Sequence, residues 1–330
     1  MGFDLQKHFN KFHDTIKLDD NDTLKEKRET LTKELKTKLA KDDDAPTFTY
    51  FNQGSYAMFT GTTPPDGDYD IDVGLVFDCE KEDYDDPVDL KVLVRDALKD
   101  KNRTVVIRRP CVTVKYLENE KSKYHVDLAV YAKNDGNYTI AKGMECSAKD
   151  KRFWEKSAPK GLIAYVNDTT RHDDDGRAQL RRVIRYMKRW REHKLKNDRP
   201  YSIALTVAAC RWFAPYNDSL TGKMDDLMGL YYFVQNILSR FNILGKLEIL
   251  LPVEPFNNLN ADMTDNQMSN FKEKLEELLD ALYDASNSEV EDEACEILKK
   301  QFGPDFPVPP KDENAKKAPA GYAPAGTSAA

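Results

Sequence analysis

The sequence predicts an α+β fold, with a mixed sheet and its flanking helices in the first half of the chain and a helical domain in the second. Two observations support this prediction. Between residues 47 and 143, short segments rich in β-branched and aromatic residues alternate with polar turns, which is typical of strands. Before and after that stretch, apolar residues recur at the spacing of amphipathic helices. We therefore expect a sheet core packed on a helical domain.

The first half of the chain divides into two predicted parts. Residues 1–46 should form an N-terminal helical segment, because leucines recur on one helical face after a shorter apolar segment. Residues 47–170 should form the sheet core, with one helix at 89–97. The strands of this core are expected at 47–52, 71–77, 104–109, 111–117 and 124–132.

The second half of the chain is predicted to be helical from residue 171 to residue 310. A basic helix is expected at 180–194, and four further segments show helical periodicity. The proline-rich run GPDFPVPP ends this pattern. Residues 311–330 are small, polar and rich in proline, so we expect a disordered C-terminal tail.

Composition narrows the class of protein. The net charge of −7 argues against a nucleic-acid coat protein and confines any polyanion site to a local basic patch. The five cysteines are scattered without a CxxC pair, which favours free thiols in a reducing compartment over a zinc site. Because no signal-peptide core and no membrane-length apolar run is evident, we expect a cytoplasmic protein.

Two aspartates stand at the start of a predicted strand. Asp70 and Asp72 are two residues apart, so both carboxylates face one side while Ile71 and Val73 face the other. Like charges held side by side repel each other, and a divalent cation with oxygen ligands would relieve that repulsion. Magnesium typically takes one or two carboxylates together with substrate phosphates. Taken alone, an acidic turn of this kind is often only a solvated loop.

A third carboxylate strengthens the metal hypothesis. Asp127 is the lone acid in the apolar strand YHVDLAVYA, where an unpartnered carboxylate would be costly. If this strand lies beside that of Asp70 and Asp72, the three carboxylates meet. Three such groups can hold two metal ions roughly 3.5–4 Å apart, which clamp the attacking and leaving oxygens of a phosphoryl displacement.

A Gly-Ser pair precedes the acidic strand. Gly54 and Ser55 follow a predicted strand and are expected to begin a short helix. Exposed backbone N–H groups at such a turn can bind phosphate, and a serine hydroxyl adds a donor. The dipeptide alone carries little information, but its combination with the three acids is specific.

This combination of a strand, a Gly-Ser turn, an acid-apolar-acid strand and a third acid on a later strand resembles the DNA-polymerase-β-like nucleotidyltransferase superfamily. The resemblance implies a polymerase-β-like core in which the turn holds the donor triphosphate. It also implies that Asp70, Asp72 and Asp127 are catalytic metal ligands for two Mg²⁺ ions, with Mn²⁺ as an alternative.

Three later stretches resemble one branch of that superfamily, the cGAS/DncV-like CD-NTases of bacterial anti-phage (CBASS) systems. Residues 152–168 resemble the passage from the catalytic to the helical domain in these enzymes. Residues 180–194 and 200–205 resemble the helix pair that closes over the nucleotide, and residues 302–309 resemble the closing segment. The resemblance therefore touches nearly the whole folded part of the chain.

A basic stripe runs along residues 177–188 on one helical face and includes Arg185 and Lys188. Such a stripe is usually only a solvated face. In the family, the lysine of the MKRW motif and a serine fourteen residues later contact donor phosphates. These positions correspond to Lys188 and Ser202 here, and Arg185 is a further nucleotide-binding candidate.

The QGSY motif implies nucleotide contacts from Gln53, Gly54 and Ser55. Two departures from the family concern the choice of base. Met58 occupies a position where one relative has a stacking aromatic residue, and Ala158 stands where relatives often carry an acid.

The resemblance implies a cyclic oligonucleotide synthase, with a cyclic dinucleotide as the expected product. ATP and/or GTP are the expected substrates, and no membrane or obligate nucleic acid is expected. Asp127 is the candidate for general base or for orienting the attacking hydroxyl. The product would be a second messenger of anti-phage defence.

The tail suggests a protein partner. In many CD-NTase operons, an E1/E2-like ancillary protein captures the C-terminus of the enzyme and conjugates it to a target. The small residues at the end of 311–330 are compatible with threading into such an adenylating site. An ordinary linker is the alternative.

Two other functions stay open on the sequence alone. A template-independent RNA-tailing nucleotidyltransferase would share the three acids, although the acidic net charge argues mildly against a broad RNA-binding surface. A catalytically inactive nucleotide-binding scaffold would share the fold, but it would have no use for an intact carboxylate triad.

Overall fold

The computed structural model describes residues 4–18, 22–65, 67, 69–118, 121–134, 137–195 and 200–311. The chain divides into two compact units. The sheet unit comprises the described residues of 18–167 and 252–256, and the helical unit comprises those of 1–17, 168–251 and 257–330. Almost all of the predicted tail, residues 312–330, lies outside the described residues.

The sheet unit is built on a mixed sheet, in which the described residues form seven strands in the order β1-β2-β5-β4-β3, with β6 beside β5 and β7 beside β6. β2 and β5 are parallel, and the other neighbouring pairs are antiparallel. The strands are β1 (Phe48–Asn52), β2 (Tyr69–Glu80), β3 (Arg103–Ile107), β4 (Val112–Glu118), β5 (Lys121–Asn134), β6 (Asn137–Lys142) and β7 (Phe153–Ser157).

One face of the sheet is apolar and covered by helices. Ile71, Val73 and Leu75 of β2 are buried on this face, as are Val126 and Leu128 of β5. Leu31, Leu35 and Leu39 of α2 (Asp22–Leu39) and the apolar face of α4 (Pro87–Leu98) pack against them. Because strand side chains alternate, residues 70, 72 and 127 lie on the opposite face.

Local sequence signals explain where several helices begin. Asp86 precedes α4, and its carboxylate accepts a hydrogen bond from the Val88 N–H at 2.9 Å, with proline at the first helical position. Thr264 and Gln267 form a reciprocal capping box at the start of α9. Each cap satisfies backbone N–H groups that have no partner inside the helix.

Two shorter helices belong to the sheet unit, α3 (Gly54–Ala57) and α5 (Pro159–Val166). The helices of the helical unit are α1 (Gln6–Ile16), α6 (Asp174–Lys194), α7 (Ser202–Trp212), α8 (Asp226–Leu238), α9 (Asp265–Asn287) and α10 (Glu291–Phe302). An aromatic cluster joins the two ends of this unit, because Phe9 and Phe12 of α1 contact Tyr186, Phe302 and Phe306.

The α+β class and the mixed sheet with flanking helices are confirmed, but the expectation of about five strands was too low. β6 and β7 were missed. β6 is short and pairs with the end of β5, and β7 carries two charges in five residues, so neither shows a long apolar run.

The N-terminal segment predicted at residues 1–46 does not form one body. α1 belongs to the helical unit, whereas α2 belongs to the sheet unit. The physical reason lies in what each helix buries. Phe9 and Phe12 are wholly buried among aromatic residues of the helical unit, whereas Leu31 and Leu35 pack in the core of the sheet unit.

Candidate active site

The three predicted acids lie on two neighbouring strands. β2 and β5 pair in parallel, with Asp72 opposite Asp127 and Asp70 opposite His125. Neighbouring strands are about 4.8 Å apart, so the carboxylates of Asp72 and Asp127 start from adjacent positions on the same face. The expectation that the strand of Asp127 lies beside that of Asp70 and Asp72 is confirmed.

A neutral hydroxyl supports the third acid. Thr113 of β4 lies opposite Asp127 of β5, and its wholly buried Oγ1 donates a 2.6 Å hydrogen bond to Asp127 Oδ1. This bond leaves the other carboxylate oxygen of Asp127 available for a further contact and fixes the direction of the side chain. Thr113 was missed from the sequence, although its place in the alternating CVTV strand could have indicated a side chain on this face.

Among the described residues, no three His, Cys, Asp or Glu side chains converge as a metal site. The assignment of Asp70, Asp72 and Asp127 as metal ligands therefore stays a prediction. The donor set fits a hard divalent cation in chemistry, because all three candidates supply carboxylate oxygens from adjoining positions. Asp70 is exposed and Asp72 is partly exposed, so water and a hydrated ion can reach them.

The Gly-Ser turn is pressed against Asp72. Gly54 has φ +64°, a left-handed conformation, and a Cβ built at this position would lie 1.8 Å from Asp72 Oδ2. The backbone N–H of Gln53 also donates to the Asp72 carbonyl oxygen at 3.0 Å. Glycine is therefore required both for the backbone conformation and for the close approach to a carboxylate. The turn and the acids form one continuous surface.

Two side chains hold the ends of this turn. Tyr131 of β5 donates its hydroxyl to Gln53 Oε1 at 3.0 Å, before the turn. Asn167, just after α5, donates Nδ2 to the Ala57 carbonyl oxygen at 2.9 Å, after the turn. Both were missed from the sequence. For Tyr131, its place four residues after Asp127 on the same strand face was an available signal.

A buried thiol lies next to the acids but does not act as a nucleophile. Burial, followed by the charge of Asp127, raises the pKa of Cys111 to about 12. The thiol lies 3.6 Å from Thr113 Oγ1. It therefore stays protonated at neutral pH and adds no negative charge to this face.

The remaining predicted nucleotide-binding residues belong to the helical unit. Arg185 and Lys188 lie on α6 and are 6% and 5% exposed, so they are not part of a solvated face. Arg185 Nη1 lies 3.2 Å from His13 Nε2 of α1. Ser202 is the first residue of α7. Their roles stay predictions.

Among the described residues, no helix is both long enough and apolar enough to cross a membrane. The five cysteines are all free thiols.

A mixed sheet with flanking helices, paired aspartates on adjacent strands and a glycine-serine turn against them define a polymerase-β-like nucleotidyltransferase domain. Residues 48–131, which include the three aspartates and the Gly-Ser turn, match the family model described as "Cyclic GMP-AMP synthase DncV-like, nucleotidyltransferase domain". This match identifies residues 48–131 as a DncV-like nucleotidyltransferase domain, as the sequence motifs predicted.

Two further comparisons agree with this assignment. The chain is 29% identical over 158 residues to the cyclic GMP-AMP synthase of Escherichia albertii, a match that covers 45% of this chain and 32% of that protein. The matched part is therefore about a third of the relative's length.

The fold is similar to that of solved structures of the Vibrio cholerae cyclic AMP-GMP synthase DncV. One such structure has a TM-score of 0.73 at 19% identity, covering 92% of this chain and 97% of that one. Another, a complex with the linear intermediate 5′ pppA(3′,5′)pG, has a TM-score of 0.74 at 19% identity, covering 93% and 97%. At this identity the similarity concerns the fold.

Proposed function

We propose that this chain is a cyclic oligonucleotide synthase that joins nucleoside triphosphates and releases pyrophosphate, with a cyclic dinucleotide as its product. The observation that carries the proposal is the register of Asp72 with Asp127 beside a Gly-Ser turn whose glycine touches Asp72. The relatives support the choice of substrate, since solved DncV structures contain ATP and GTP. ATP and GTP are therefore the proposed substrates here.

Asp70, Asp72 and Asp127 are proposed to hold two divalent cations, with Mg²⁺ preferred and Mn²⁺ as an alternative. Their carboxylate oxygens suit hard cations. When bound, such cations stabilise the charge that develops on the attacking and leaving oxygens. The repulsion between Asp72 and Asp127 gives the chain itself a reason to bind positive charge at this position.

The residues of the turn are proposed to bind the donor triphosphate. The Ser55 hydroxyl and the backbone N–H groups of the turn donate to phosphate oxygens, and Gln53 contributes a side-chain amide. Because Gly54 has no side chain, these donors lie close to the Asp72 carboxylate. The turn and Asp72 can therefore contact the same bound nucleotide. The turn therefore sets the distance between the triphosphate and the acids.

Asp127 is proposed to orient the attacking ribose hydroxyl and to accept its proton. The hydrogen bond from Thr113 holds one carboxylate oxygen, so that the other faces the reacting groups in a fixed direction. A second round of the same transfer closes the ring. From the helical unit, Lys188, Arg185 and Ser202 are proposed to bind donor phosphates, as the family resemblance implies.

The test is product analysis from nucleotides alone. Purified protein is incubated with all four labelled nucleoside triphosphates, Mg²⁺ and no primer, and products are identified by mass spectrometry while pyrophosphate is measured. The proposal expects a cyclic product and one pyrophosphate per phosphodiester bond. A primer-dependent linear product would favour the RNA-tailing alternative, and no pyrophosphate from folded protein would favour the inactive scaffold.

A role in CBASS anti-phage signalling, in the cytoplasm, is the biological setting we propose for this activity. The C-terminal tail is proposed to engage an E1/E2-like ancillary protein. Deleting residues 311–330 should leave basal nucleotide turnover unchanged and abolish partner-dependent conjugation. If conjugation persists without the tail, residues 311–330 are an ordinary linker.

A further inference from the structure

Three aromatic rings form a cluster on the acidic face of the sheet, directly beside the Gly-Ser turn. Phe51 of β1, Tyr131 of β5 and Tyr138 of β6 have ring centroids 6.0–6.4 Å apart. The Lys160 ammonium caps the cluster, 5.1 Å from the Phe51 centroid and 5.4 Å from that of Tyr138. Tyr131 is 3% exposed, so its ring is held by packing on several sides.

The Tyr131 hydroxyl makes hydrogen bonds with two side chains, Ser157 and Gln53. Ser157 of β7 hydrogen-bonds to the Tyr131 hydroxyl, which in turn donates to Gln53 Oε1 at 3.0 Å. Burial raises the pKa of Tyr131 above its usual value, so the hydroxyl keeps its proton at neutral pH. The hydroxyl gives its single proton to Gln53, so in this arrangement the amide oxygen faces the tyrosine.

Gly74 makes room for this arrangement. A Cβ at Gly74 would lie 2.5 Å from the Phe51 ring and 3.1 Å from Gln53 Oε1. Gly74 follows Asp72 by two residues, so the Gln53 side chain lies over the same strand face as the acids, one position further along. The absence of a side chain at Gly74, the glycine of the DIDVG motif, therefore leaves room for the Gln53 amide next to the acidic site.

The orientation of the amide leaves two donors for a ligand. With Oε1 facing Tyr131, the Nε2 group points away from the hydroxyl, and among the described residues no acceptor for it is found. A neutral amide beside the triphosphate site can donate to phosphate oxygens only if Nε2, and not Oε1, faces them. The reversed orientation would present a lone pair to an anion.

We propose that Tyr131 is a positioning residue, which fixes the Gln53 amide so that its Nε2 donors serve the phosphates of the nucleotide. The inference rests on the proposed function, because it assigns the donors to the triphosphate. It deepens that function by naming a buried residue, away from the reacting atoms, that sets nucleotide affinity.

The experiment compares two tyrosines of the same cluster. Tyr131→Phe removes the hydroxyl that holds Gln53, and Tyr138→Phe is the matched control, because it removes a hydroxyl from the neighbouring ring. For Tyr131→Phe we expect the KM for nucleotide to rise about five- to tenfold, the scale of one ordinary hydrogen bond, with kcat within about twofold. Tyr138→Phe should leave both constants unchanged.

A double-mutant cycle separates positioning from general stability. In a Gln53→Met background, Tyr131→Phe should have no further effect on KM, because the amide that it orients is gone. An equal fall in kcat in both backgrounds, or an unchanged KM in the single variant, would overturn the inference. Melting temperatures of all variants show whether any loss follows from unfolding.

A second readout does not depend on turnover. The side-chain NH₂ signals of Gln53 in ¹⁵N-labelled protein, assigned with Gln53→Met, should shift in Tyr131→Phe and stay in place in Tyr138→Phe. If the wild type releases no pyrophosphate, the proposed function fails, and these signals still decide the orientation. Unchanged Gln53 signals in Tyr131→Phe would overturn it.

Discussion

Asp226 of the helical unit and Asp72 of the sheet unit are both carboxylates within a folded unit, but their surroundings differ. Asp226 is wholly buried, and its oxygens accept hydrogen bonds from Arg182 Nε and Nη2 at 2.6 and 2.7 Å. Tyr186 adds a third bond at 2.8 Å. This acid is balanced by a cation of the same chain, so it ties α6 to α8 and has no need of a ligand.

Asp72 stands beside another acid instead. Asp127 lies opposite it on the parallel strand, and the hydrogen bond shown for Asp127 comes from the neutral hydroxyl of Thr113. In this comparison, one acid lies against an arginine and the other lies in register with a second acid. An acid paired with arginine contributes to stability, whereas two acids in register favour a cation supplied from outside.

The largest expected effect concerns the acids of the sheet. Replacing Asp70 and Asp72 together by asparagine should abolish nucleotide transfer, with a loss of about 10³-fold or more, since both proposed metal positions lose a ligand. Because mutual repulsion is relieved, the melting temperature in metal-free buffer should stay the same or rise. Turnover at the wild-type rate in the double variant would contradict the assignment.

The opposite pattern is expected for Asp226→Asn. Removing one partner of a buried ion pair leaves Arg182 uncompensated, so the free energy of unfolding should fall by about 3 kcal/mol. Urea denaturation measures this loss. Asp174→Asn is the matched control, because it breaks an ion pair between Asp174 and Arg177 at the surface of α6. The Asp174 side chain is 94% exposed. The control should lose less than about 1 kcal/mol.

Gly54→Ala tests how closely the turn must approach Asp72. The added Cβ would overlap the Asp72 carboxylate, so we expect a loss of activity of roughly 100-fold, the scale of a misplaced reacting group. Gly222→Ala is the control, because Gly222 also has a positive φ, +68°, but no atom lies within 4 Å of the added Cβ. It should cost about 1 kcal/mol of stability and no activity. Equal effects on activity would mean that backbone strain alone is responsible.

The smallest expected effect concerns His13, which faces Arg185, Arg182 and Asp14. Burial, followed by the charges of Arg185 and Arg182, lowers the pKa of His13 to about 4. Between pH 6.5 and 4, His13 is therefore protonated in the unfolded chain but neutral in the folded chain. The free energy of unfolding falls as the pH falls through that window.

His13→Gln should flatten this dependence. Relative to the wild type, the variant should gain about 1 kcal/mol between pH 7.5 and pH 5, after allowance for partial exposure. Denaturation curves at the two pH values measure the gain. If the difference in free energy of unfolding between variant and wild type is the same at both pH values, the role of His13 in the pH dependence is contradicted.

The acidic face could be predicted from sequence because it follows from local alternation. Asp70 and Asp72 share a face whatever the tertiary structure, and the lone acid of an apolar strand needs a partner. On those grounds the strand of Asp127 was expected to lie beside the strand of Asp70 and Asp72. The contacts of Thr113, Tyr131 and Asn167 depend on which strands and loops meet, and no single segment of sequence contains that information.

The helical stripe shows where local reasoning fails. Spacing placed Arg185 and Lys188 on one face, but it could not show that both are buried. At Arg185 the contact comes from His13 of α1, which is distant in sequence. The division of the N-terminal segment has the same cause. Helical periodicity identifies an apolar face but not the unit against which that face packs.

The most direct test of whether a divalent cation binds the paired acids compares the melting temperatures of wild type and Asp72→Asn. Each is measured with and without Mg²⁺, in the presence and absence of a non-hydrolysable nucleoside triphosphate. If the paired acids are balanced by bound metal, the ligands raise the melting temperature of the wild type, and the variant loses most of that gain. Its metal-free form is then at least as stable as the wild type. An equal rise in both proteins would contradict the account.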